Sequence, residues 1–134
     1  MVTGMGLLEF GGPEYGGIFA RSARDVSVAL VVKRASLLHW NGTTWVESRV
    51  PGENPLLAPF ASDGKSGFWS GALNGRIYHY QAARWTSTPT PTAKGGHGMQ
   101  VGSLAWIPGT TSVWGLGSVA NDLADTSVLL KYGS

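Results

Sequence analysis

The sequence predicts an all-β chain of three four-stranded antiparallel units, the last one incomplete, and three observations predict it. First, one phrase recurs: Leu37-Leu38-His39-Trp40 is echoed by Ile77-Tyr78-His79-Tyr80 and again by Leu129-Leu130-Lys131-Tyr132. Recurrence at intervals of about 40–50 residues is the footprint of a repeat architecture. Second, short apolar runs of strand length alternate with turn chemistry, including Asn41-Gly42, Asp63-Gly64 and Pro108-Gly109. Third, no stretch carries the 3.6-residue period of an amphipathic helix.

Each unit reads as four short strands, over residues 17–50, 56–90 and 100–134. Strand one is Gly17-Ile18-Phe19-Ala20, then Pro59-Phe60-Ala61, then Leu104-Ala105-Trp106-Ile107. Strand two is Val26-Ser27-Val28-Ala29, Phe68-Trp69-Ser70-Gly71 and Val113-Trp114-Gly115-Leu116, with Ser27 standing where the other units have Trp. Strand three is the recurring phrase. Strand four carries Trp45 or Trp85, each following its phrase at the same interval. Asn41-Gly42 predicts a type I′ hairpin between strands three and four. The matching turn, Gln81-Ala82-Ala83-Arg84, is a weaker signal. The third unit would need a further Trp beyond Ser134 to complete its outer strand. Residues 1–16 hold a faint echo, Leu7-Leu8-Glu9-Phe10-Gly11-Gly12 with Tyr15. They read either as the remnant of an earlier unit, able to serve as a closing strand, or as an irregular arm.

Strand three explains why the units must stack. Leu38 and Trp40 point to one face and Leu37 and His39 to the other, because side chains alternate along a strand. A sheet apolar on both faces needs a cover on each. Neighbouring copies supply it in propellers and solenoids, and four strands per repeat favour the propeller. Trp40, Trp45, Trp69, Tyr80, Trp85, Trp114 and Tyr132 then read as the structural aromatics between units.

Three segments carry a family resemblance: Leu37-Leu38-His39-Trp40-Asn41-Gly42-Thr43-Thr44-Trp45, Gly75-Arg76-Ile77-Tyr78-His79-Tyr80 with Trp85, and Ser112-Val113-Trp114-Gly115-Leu116-Gly117. The chain resembles bacterial β-propeller repeats of the kelch-like, galactose-oxidase-central-domain-like kind over residues 17 to 134. It departs from them where a kelch unit carries a Gly-Gly pair, since those places hold Val31-Val32, Ala72-Leu73 and Ser118-Val119. The resemblance implies a partial β-propeller. Three blades do not close a ring of the usual 4–8, so the expected partners are further blades of a longer chain or a second copy by self-association.

Composition bounds the rest. The 134 residues hold 10 Lys and Arg against 8 Asp and Glu, scattered singly apart from Lys33-Arg34. That is not the basic field a nucleic acid requires. The sequence has no cysteine, which excludes disulfides and thiolate metal sites. No apolar run reaches the roughly 18 residues of a membrane span, and no signal peptide is visible. The compartment is left open.

No motif commits the chain to catalysis. His39 and His79 hold equivalent places in successive units, which keeps them apart, so they read as polar residues at a seam and no metal site is expected. Gly115-x-Gly117-x-x-Ala120 lacks the helix and acidic residue of a dinucleotide fingerprint, and no cofactor is expected. Glu9, Glu14, Glu47 and Glu53 cannot be paired across a cleft from sequence. Trp106 reads as core, and Thr88-Pro89-Thr90-Pro91-Thr92 as an extended connector. The expected function is a non-catalytic binding or scaffolding module presenting loops to a glycan or protein ligand. The candidate ligand residues are Asp63, Lys65, Lys94, His97, Asn121 and Asp122, taken to share one face of the ring. The alternative is a fragment of a propeller enzyme, a hydrolase or oxidase, whose active site needs the missing blades.

Overall fold

In the computed structural model, residues 14–31, 35–52, 57–92, 99–120 and 125–133 are described. The echo at Leu7–Gly12 lies outside them. Eleven strands run β1 (Glu14–Ser22), β2 (Asp25–Val31), β3 (Ala35–Trp40), β4 (Trp45–Arg49), β5 (Leu57–Ser62), β6 (Phe68–Ala72), β7 (Arg76–Gln81), β8 (Arg84–Pro89), β9 (Gln100–Trp106), β10 (Val113–Ala120) and β11 (Asp125–Tyr132). They form three antiparallel meanders, β1-β2-β3-β4, β5-β6-β7-β8 and β9-β10-β11. The described residues are therefore all-β, with sheets of four, four and three strands and no closed barrel among them. Among the described residues there is no helix.

Registers confirm the alternation read from the sequence. Val26 pairs with Trp40 and Trp40 with Trp45, while Phe68 pairs with Tyr80 and Tyr80 with Trp85. Cross-strand partners share a face, so each sheet has two definable faces. Register shifts fall between the first and second strands of all three sheets. Bulges there raise the local twist.

The hairpin turns differ from expectation. Gly42 has φ +93° while Asn41 stays at negative φ, so Asn41-Gly42 is not a type I′ pair. Asn41 Oδ1 instead accepts from the N–H groups of Thr43 and Thr44, each at 3.0 Å, an Asx turn that makes four residues the loop. The turn with two positive φ values is Ala82-Ala83, at 50° and 60°. There, Tyr80–Trp85 and Gln81–Arg84 pair on either side and enforce a two-residue loop, which demands that geometry.

The sheets stack through their first strands, β1 on β5 and β5 on β9. The seam between the first and second sheets buries Ala29, Leu37, Val50, Leu57, Phe68, Ala72 and Tyr78, with Phe19, Phe60, Tyr80 and Trp85 packed against them. Burying a Leu such as Leu37 contributes roughly 2 kcal/mol. The seam between the second and third sheets buries Ala61, Trp69, Ile77 and Val113, joined by Leu104, Trp106 and Tyr132. Met99, Val101 and Val119 extend it.

Trp69, Tyr80, Trp85 and Tyr132 thus lie between sheets. Trp40, Trp45 and Trp114, also expected there, lie instead on the outward faces of the first and third sheets, on which no sheet is seated among the described residues.

Candidate functional site

Five turns gather at one end of the stack: Ala23-Arg24, Asn41–Thr44, Asp63–Gly67, Ala82-Ala83 and Pro108–Ser112. The Arg21 guanidinium bridges the first two sheets by donating to the Lys65 carbonyl at 3.2 Å. Gly64 lies so close to the Trp106 indole that a Cβ would fall 2.6 Å from it. Positive φ at Gly64, +74°, makes that turn doubly a glycine position.

The Asp63 turn is a self-contained polar unit. Asp63 is 2% exposed. Its Oδ1 accepts from the N–H groups of Lys65 (2.8 Å) and Gly67 (3.0 Å), and its Oδ2 meets His79 Nε2 at 3.0 Å. Burial by itself would raise the carboxyl pKa. The His79 hydrogen bond, the two N–H groups and the charge of His79 outweigh it and hold the pKa below the ordinary 3.8. His79 in turn lies flat on the Trp69 indole, with centroids 4.0 Å apart and planes 13° off parallel. Tyr132 meets Trp69 edge-on at 4.9 Å, and its hydroxyl bonds Thr88 at 2.6 Å.

The first seam repeats the histidine–carboxylate pair without the indole. His39 Nε2 lies 3.0 Å from Asp25 Oδ1, and Asp25 Oδ2 takes the Arg21 guanidinium. The cross-strand partner of His39 is Ser27, whereas the partner of His79 is Trp69. Two larger neighbours fill part of the difference: Phe19 stands where the second seam has Ala61, and Phe68 where it has Val113. A cleft of about 260 Å³ is left, lined by Phe19, Arg21, Asp25, Ser27, His39, Ser66, Phe68, Tyr80, Ala82 and Ala83. Burial pushes the Tyr80 phenol above its ordinary pKa. The cleft combines aromatic walls with one ion-paired polar corner. It can hold a ring against His39 and offer hydrogen bonds at its mouth.

A shallower recess of about 570 Å³ lies beside it, lined by Gly64, Lys65, Trp106, Gly109, Thr110 and Thr111. Trp106 Nε1 donates to the Thr110 carbonyl at 2.8 Å, which leaves the indole face as the recess floor.

Of the ligand residues expected from sequence, Asp63 and Lys65 are described. Asp63 is buried and engaged on both carboxylate oxygens, so it holds the turn rather than facing solvent. Lys65 is exposed and lines the recess. Lys94, His97, Asn121 and Asp122 lie outside the described residues. Sequence reasoning missed Arg21 and Asp25 altogether. The usable signal was Ser27 in a Trp position, which marks where indole volume is missing.

Among the described residues no three His, Cys, Asp or Glu side chains converge as metal ligands, and no helix is long and apolar enough to cross a membrane. No protein-family model, curated protein or solved structure matches the chain.

Proposed function

We propose that the chain is a non-catalytic binding or scaffolding module of partial β-propeller type, whose ligand, a glycan or a protein, is met at the turn end of the stack. The blade reading is supported by meander sheets that stack with one polarity through their first strands. The single observation that carries the binding reading is the cleft beside Ser27. The ring that Trp69 supplies internally in the second seam has no counterpart in the first, and a bound partner supplies it. Of the two ligand classes, the cleft favours a protein offering an aromatic side chain. A planar ring matches the flat contact on His79, and Asp25 already accepts from Arg21 and faces His39, which leaves few groups for sugar hydroxyls.

Indole, titrated as a probe of that side chain, is expected to shift the amide resonances of Ser27, His39 and Phe68. Ser27→Trp, which fills the cleft from within, is expected to abolish those shifts while the fold is kept. Saturating indole without any shift at these residues would overturn the reading. Binding on a glycan array that Ser27→Trp removes would replace the protein ligand with a sugar at the same cleft.

A further inference from the structure

The stack has a direction. Two classes of face alternate through it, and each seam joins one of each class. Take the inward face of the second sheet toward the first: Phe60, Phe68, Tyr78, Tyr80 and Trp85. Its counterpart on the first sheet, position by position in the registers, is Ile18, Val26, Leu38, Trp40 and Trp45. Among the described residues no sheet lies on that counterpart, and Ile18 is 68% exposed. The other class is the face of the second sheet toward the third, which carries Trp69, Ile77, His79 and Ala61. Its counterpart on the third sheet is Trp114, Leu129, Lys131 and Ala105. This one is bare as well. Ile77 is 2% exposed but its equivalent Leu129 is 64% exposed; Trp69 is 7% exposed but Trp114 is 37%.

We infer that the outward face of the third sheet docks on the outward face of the first sheet of a second copy, head to tail. The occupant follows from the pairing rule inside the chain. A face of the Trp69 class is covered, where it is covered, by a face of the class that the first sheet leaves open. Each copy presents one unpaired face of each kind, so a second copy satisfies both. Contiguous exposed apolar faces on a folded protein mark association surfaces. A contact between unlike faces either closes into a ring or runs on as a filament. Two copies bring six sheets, within the ring sizes that close, so the expected assembly is a closed dimer. This goes beyond the ligand reading and does not depend on the cleft, because Ser27 lies in an internal seam and not on either docking face.

The test is sedimentation equilibrium of the full chain, alone and as two variants, Leu129→Lys on one face and Ile18→Lys on the other. Both sites are exposed, so circular dichroism is expected to match the parent chain, and the melting temperature to fall only by what dimerisation contributes. The parent is expected at twice the chain mass. Each variant alone is expected to weaken dimerisation at least a hundredfold. Mixed one to one, the variants are expected to recover association, because the mixed dimer keeps one of its two contacts intact whereas each variant alone has both contacts damaged. A monomeric parent overturns the inference. So does a variant that dimerises like the parent, or a mixture that stays monomeric, since either result means like faces pair with like or that the faces do not pair at all.

Discussion

The two internal seams join equivalent faces and fill them differently. The second seam centres on one large side chain: Trp69 lies on His79, edge to Tyr132, above Ala61 and Val113. The first distributes the volume over two medium rings, Phe19 and Phe68, whose centroids lie 5.4 Å apart, and keeps Ser27 opposite His39. Interiors pack close to crystal density, so swaps that conserve volume are tolerated. Two phenyl rings are not the shape of an indole, however, and the mismatch is the cleft. The comparison teaches that a repeat can keep its register and polarity while one seam is solid and its neighbour is open at the end where the turns gather.

The sharpest way to break this comparison is to remove the indole. Trp69→Ala is expected to destabilise by about 3–5 kcal/mol, the range for emptying a packed aromatic site. Ser27 is buried, but Ser27→Ala, at the equivalent strand position, removes only one oxygen and is expected to change stability by about 1 kcal/mol or less. Urea unfolding of the two variants reads this directly. Equal losses would mean that the seams do not differ as described.

Much of this is legible in the sequence. The phrase at Leu37, Ile77 and Leu129 located three equivalent strands, and alternation put Leu37 and Leu38 on opposite faces; which of the two is inward came from the packing of Leu37. Turn chemistry located the hairpins but misjudged their type. Asn-Gly is the strong signal for a two-residue loop, yet the Asn41 carboxamide found two N–H groups to bond and opened the loop to four. Ala82-Ala83 carries no such signal, and cross-strand pairing forced it into left-handed geometry. The histidine–carboxylate pairs were not legible because their partners come from turns of different length. Asp25 begins β2 directly after a two-residue turn, whereas Asp63 opens a longer one. No fixed spacing links carboxylate to histidine. Nor could sequence separate seam aromatics from those on open faces, since Trp69 and Trp114 occupy the same register and differ only in what lies beyond them.

Those two carboxylates give the next contrast. Asp63 is buried, and its removal leaves the Lys65 and Gly67 N–H groups and His79 without their acceptor. Asp63→Ala is therefore expected to destabilise by about 3 kcal/mol, from unsatisfied buried donors. Asp25 and its partners are each about a third exposed, so water and salt screen them, and Asp25→Ala is expected to destabilise by under about 1 kcal/mol. The pH dependence separates them further. Asp63 is held below its ordinary 3.8 in the fold, so below that value the unfolded chain takes up the proton more readily than the folded one. Its contribution is then complete above 3.8 and is lost as pH falls through the lower folded value. The melting temperature of the parent is expected to fall more steeply below pH 4 than that of Asp63→Ala. Parallel curves would mean that the carboxylate is not held in this way.

The smallest effect probes the wall of the open seam. Ala82 and Ala83 line the cleft and hold φ of 50° and 60°, a conformation that is unfavourable for a residue with a Cβ and that Asn and Gly adopt readily. Replacing the pair, Ala82→Asn with Ala83→Gly, relieves that strain while Gly adds unfolded-state freedom, and the net gain is expected to be about 1 kcal/mol in thermal unfolding. No corresponding gain is available at the second seam, where the Pro108–Ser112 turn already places Gly109 at its positive φ of 80°. A stabilised variant that still shows the indole shifts at Ser27 would mark the hairpin as a passive wall. One that gains stability but loses the shifts would mean that the strained turn sets the width of the cleft, and that the first seam is held open at its turn end by the backbone as well as by the missing indole.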